Sequence, residues 1–107
     1  DNETYIAMTC DRQLVEIYLV DSRQVMQRIR SEVDSGDRTA LQKAVHSLKG
    51  ISANLGAGRL ANLCGQIENQ LRAGEPLVHG WLEALEILFA RTCEELKWES
   101  INKTETT

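Results

Sequence analysis

The apolar residues of this chain recur at helical intervals, and the recurrence breaks only where glycine-bearing turns intervene. From about Asp11 to Ser35 the period is kept by Leu14, Val15, Tyr18, Leu19, Val25, Met26, Ile29 and Val33. Arg12, Glu16, Arg23, Gln27, Arg30 and Glu32 supply the solvated face of that helix. Asp34-Ser35-Gly36-Asp37 is a turn: Gly36 takes positive φ and Asp37 N-caps the next helix. The second helix runs over 38–55, with Leu41, Val45, Leu48, Ser52 and Leu55 on one stripe and Ala44 and Ile51 at its edge. Gly56-Ala57-Gly58 breaks the pattern, and 59–73 resumes it through Leu60, Leu63, Cys64, Ile67 and Leu71. Gly74-Glu75-Pro76 is a stop. A fourth helix is predicted over 77–98, burying Trp81, Leu82, Leu85, Leu88, Phe89, Thr92 and Leu96 by spacing. Tyr5, Ile6 and Met8 allow a short extra N-terminal helical turn that caps one end, while 101–107 reads as a polar, frayed tail. The expected fold is all-α, an antiparallel up-down-up-down four-helix bundle filling 1–107 as one domain.

Bulk properties narrow the function. With 107 residues, 42% of them hydrophobic, the chain fits one core. A net charge of −4 offers no global basic surface for nucleic acid. No apolar run approaches the roughly 20 residues that cross a bilayer, and no signal-peptide pattern is present. The start at Asp1 without methionine reads as a fragment of a longer protein. Cys10, Cys64 and Cys93 are odd in number and lack C-x-x-C spacing, which points to a reduced, cytoplasmic setting. Two histidines far apart in sequence give a structural metal site little support.

One of those histidines lies where a core residue would not. On the second helix His46 sits about 150° from the centre of the apolar stripe, so it points into water. Lys49 is one turn further on and within reach of whatever the imidazole carries. Gly50 costs about 1 kcal/mol relative to alanine in mid-helix, and lies about 40° beyond His46, away from the stripe. Its alternative role as a helix-packing glycine fits that position poorly, whereas clearance for a docking partner fits it well. Gln42 and Lys43 precede the histidine by one turn on the same face, and Ala53 keeps that face shallow further along. Ser52 is read as packed, with its hydroxyl on a carbonyl one turn back. His79 precedes Gly80 with no partner pattern around it and reads as an ordinary surface residue.

The run His46-Ser47-Leu48-Lys49-Gly50, followed by Ser52 and Leu55-Gly56-Ala57, resembles the signature of histidine-containing phosphotransfer (HPt) domains. Leu60-Ala61-Asn62-Leu63-Cys64 and Ile67-Glu68 resemble the family's next helix, so the likeness covers nearly the whole chain. It implies a relay module of bacterial multistep phosphorelays, of the kind found in hybrid sensor kinases. His46 would take a phosphoryl group from a receiver-domain aspartate and return it to a second receiver, with Nε2 as the implied atom. The sequence by itself does not distinguish the two ring nitrogens. A neutral imidazole is a good nucleophile toward phosphorus, and such transfer depends on positioning and charge neutralisation. Lys49 would steady the phosphoryl oxygens, while Mg²⁺ belongs to the receiver and no cofactor to this chain. Gln42 can hydrogen-bond the phosphoryl group or its water and Lys43 can attract an acidic receiver, though both also read as solvated filler. Some family members carry glutamine where this chain has Glu68. A carboxylate there can orient the free imidazole but repels a phosphoryl group, so Glu68 is read as a support residue.

Other functions use the same helices. A plain interaction or dimerisation bundle needs no outward histidine. An autonomous kinase lacks its glycine-rich nucleotide loop and Mg-ATP residues here. A dimerising kinase domain builds four helices from two chains and follows its histidine with an acidic residue, where this chain has Ser47. The expected module is therefore a monomeric carrier, not itself membrane-embedded and without autonomous catalysis.

Overall fold

A computed structural model describes the backbone of residues 12–106 and the side chains of residues 12–98. The turn expected at Tyr5, Ile6 and Met8, and Cys10, lie outside the described residues. Four helices follow one another: α1 (Arg12–Ser35), α2 (Arg38–Asn54), α3 (Gly58–Arg72) and α4 (Trp81–Thr106). Each packs on the next, and α4 returns to α1, which closes the up-down-up-down bundle. Gly36, at φ 76°, ends α1 with its N–H on the Glu32 carbonyl at 3.0 Å. Asp37 then caps α2, its Oδ1 accepting from the Ala40 N–H at 3.0 Å.

Packing follows the predicted stripes except at Leu14, which is 49% exposed near the start of α1. Val15, Tyr18, Ser22, Met26 and Ile29 of α1 are buried, at the three- and four-residue steps of a bundle seam. They meet Leu41, Ala44, Val45, Leu48 and Ser52 of α2 and Leu60, Cys64, Ile67 and Leu71 of α3. Ser52 is indeed buried, but its Oγ lies 2.9 Å from the Tyr18 hydroxyl rather than on a carbonyl one turn back. The buried phenol needs a partner, and the α1 seam brings it there. Burial pushes the Tyr18 phenol up to about 12, against the pull of the Ser52 hydrogen bond. Burial likewise pushes the Cys64 thiol up to about 12, which leaves it an inert core residue.

The last helix departs most from expectation. It starts at Trp81 rather than at residue 77, because Gly80 at φ 82° cannot belong to a right-handed helix. His79 is exposed in that turn. The helix also continues past Trp98 to Thr106, in place of the expected frayed tail, since 99–106 contains neither glycine nor proline to stop it. Of its predicted core residues only Leu85 is fully buried; Trp81, Leu82, Leu88 and Phe89 are partly covered. An Arg30–Glu86 ion pair ties it to α1. Among the described residues, no helix is long and apolar enough to cross a membrane.

Candidate functional site

The site is built on the α2–α3 pair. Because Leu41, Ala44, Val45 and Leu48 face the core, the opposite side of α2 presents Lys43, His46, Gly50 and Ala53 to solvent, with Gln42 and Lys49 at its margins. The His46 side chain is 64% exposed. Gln42, Lys43, His46, Ser47 and Glu68 line one shallow open groove. Gly50 continues the same surface one turn on, and a Cβ there would meet nothing within 4 Å. No neighbour among the described residues therefore requires glycine at this position.

Glu68 reaches the groove from α3. It occupies the edge of that helix's buried stripe, beside Cys64, Ile67 and Leu71, and its side chain is only 3% exposed. A carboxylate buried this far must be paired. Its Oε2 lies 2.8 Å from His46 Nδ1, and its Oε1 accepts from the Lys49 ammonium at 3.2 Å. Arg72, one turn on in α3, donates from Nη2 to Oε2 at 2.7 Å. The Lys49 stem crosses α3 at Gly65, where a Cβ would touch its Cδ at an ordinary 3.8 Å.

Burial alone would push the Glu68 carboxyl up. The hydrogen bonds and charges of Lys49 and His46 outweigh it and hold the group below its ordinary 4.5. An ionised carboxylate only accepts hydrogen bonds, so Nδ1 is the donor in this contact and Nε2 is the ring nitrogen that Glu68 leaves unengaged. A carboxyl held low stabilises the fold above its unfolded value, and that contribution disappears as pH falls through the folded value. The melting-temperature advantage of the native protein over Glu68→Gln should therefore hold at neutral pH and shrink as pH falls below the ordinary carboxyl value of 4.5. An advantage that stays constant as pH falls would mean Glu68 is not ionised in the fold.

Sequence spacing brings His46, Lys49 and the groove residues to one face, but it places the Lys49 ammonium differently. That ammonium rests on Glu68 rather than standing free beside the ring. Arg72 escapes sequence reasoning altogether. Its signal is present all the same: Glu68 and Arg72 are an i, i+4 pair, and Glu68 falls within the i, i+3, i+4, i+7 pattern of Cys64, Ile67 and Leu71. Ser47 also lines the groove, with its hydroxyl on the Lys43 carbonyl at 3.1 Å.

The family profile of the Hpt domain matches residues 13–97. The chain is similar to the crystal structure of histidine-containing phosphotransfer protein B from Pseudomonas aeruginosa PAO1. The two are 30% identical, the match covers 83% of this chain and 78% of that one, and the TM-score is 0.75. Among curated proteins no sequence matches. Since the profile takes in all of α2 and α3 and most of α1 and α4, and the solved relative shares the bundle, the chain belongs to the Hpt domain family, the phosphotransfer carriers of phosphorelays.

Proposed function

We propose that this domain carries a phosphoryl group on His46 between two receiver domains, taking it from an aspartyl phosphate and giving it to a second aspartate. The observation that carries this reading is the Nδ1 contact with buried Glu68, which directs the free lone pair of an exposed ring outward. In the forward step Nε2 attacks phosphorus, the P–O bond to the aspartate breaks, and its electron pair leaves with the carboxylate. Nδ1 keeps its proton, so the loaded ring is cationic and Glu68 faces it at hydrogen-bond distance. In the return step a carboxylate oxygen attacks phosphorus and the P–N electron pair returns to Nε2.

Lys49 has three ammonium protons, of which Glu68 takes one. The others are available to phosphoryl oxygens on the neighbouring ring. Gln42 and Lys43 line the approach, and Gly50 and Ala53 keep it low enough for a partner to close on the ring. The Mg²⁺ that such a transfer uses belongs to the receiver. One chain supplies all four helices of the bundle, which supports a monomer. The expected setting is the cytoplasm, either free or at the inner end of a membrane-anchored sensor kinase.

Incubation with a phosphorylated receiver tests the reading. The domain should acquire acid-labile, alkali-stable phosphate; absence of label would leave a helical interaction bundle as the better account. Lys49→Ala should slow loading by about tenfold, the loss of one charge-assisted contact. A rate equal to that of the native protein would remove Lys49 from the transfer.

A further inference from the structure

Arg72 lies outside the motif around His46, yet it shares an oxygen with the imidazole. Its Nη2 is 2.7 Å from Glu68 Oε2, and His46 Nδ1 is 2.8 Å from the same atom. The Arg72 side chain is 60% exposed while Glu68 is 3% exposed, so the guanidinium covers the carboxylate at the water boundary. The other oxygen is taken by Lys49. A neutral amide at position 68 would orient the ring without any such cover. A carboxylate one ring away from a phosphoryl group cannot, because like charges repel across the imidazole.

We infer that Arg72 is a positioning and charge-balancing residue for phosphotransfer, holding Glu68 Oε2 against Nδ1–H and offsetting the carboxylate's repulsion of phosphate. The inference rests on His46 being the phosphoryl acceptor and says what makes a glutamate beside it workable. With Lys49 and Arg72 both present, these groups and the ring are net positive before loading and neutral once the ring carries a phosphoryl dianion. Without Arg72 they are neutral before loading and negative after it. Lys43 lines the same groove from α2. It touches neither Glu68 oxygen within ion-pair distance, so it does not substitute for Arg72 in orienting the carboxylate.

A double-mutant cycle separates this role from a direct grip on phosphate. Loading of His46 by phosphoramidate, a small donor that needs no docking, is timed for the native domain, Arg72→Ala, Arg72→Lys, Glu68→Gln and the Glu68→Gln/Arg72→Ala pair. Histidine ring ¹⁵N spectra report the fraction of Nδ1–H tautomer. Arg72→Ala should load about tenfold more slowly in the native background but less than about twofold more slowly beside Glu68→Gln. Its Nδ1–H fraction should fall, and Arg72→Lys should recover part of both losses. Native-like loading by Arg72→Ala overturns the inference. An equal loss in both backgrounds overturns it too, in favour of direct contact with the phosphoryl oxygens. A native domain that takes no phosphate removes the His46 reading itself, and this inference with it.

Discussion

His46→Gln is expected to abolish phosphate acceptance while leaving the bundle folded. The ring is 64% exposed and hydrogen-bonds to Glu68. When the ring is gone, Lys49 and Arg72 still pair the buried carboxylate, so no buried charge is stranded. The stability change should therefore stay within about 1 kcal/mol, a few degrees in melting temperature. Transfer should be lost entirely, because glutamine offers no nucleophilic nitrogen lone pair. Labelling by a phosphorylated receiver and a thermal melt on the same sample check both halves. Label that survives would move the acceptor elsewhere, with His79 the other histidine to test.

The opposite dissociation is expected at Leu48, two residues away on the same helix. Leu48 is fully buried in the core cluster that α1, α2 and α3 share, so Leu48→Ala leaves a cavity in that core. Truncations of this kind cost about 2–5 kcal/mol, against a total of about 5–15 kcal/mol for a domain. The melting temperature should fall on the order of 10–30 °C. Below the new transition His46 should still accept phosphate, since Leu48 lies on the buried side of α2 and does not line the groove. Chemical denaturation checks the size of the loss. A midpoint change equivalent to less than about 1 kcal/mol would show that the surrounding helices collapse onto the space.

The contrast between those two positions marks what periodicity can reveal. Direction around a helix is encoded residue by residue, so the outward His46, the inward Leu48, the Asp37 cap and the Gly36 stop are all legible in the sequence. Depth is not encoded that way. Trp81, Leu82, Leu88 and Phe89 point to the correct side of α4, but how far they are covered depends on how closely α1 and α3 approach. The start of α4 is misleading in sequence because apolar spacing resumes at Leu77, directly after the Gly74-Glu75-Pro76 stop, whereas the left-handed Gly80 delays the helix to Trp81. Glu68 shows the same limit at the site. Its position on the α3 stripe is readable, yet its burial depends on contacts with two α2 side chains and with Arg72. Charge pattern along one helix does not reveal a partner on the next.

The proposed nucleophile, His46, and the carboxylate that would orient it sit on different helices, with 2.8 Å between Nδ1 and Glu68 Oε2. The ring can thus hold its proton on the inner nitrogen only while α2 and α3 keep their spacing and register. Loosening of that pair lets the tautomers mix and takes away the fixed outward lone pair. If His46 is the acceptor, competence to receive the signal is in this way conditional on integrity of the scaffold: a damaged or half-assembled copy would fail silent instead of passing phosphate at the wrong moment.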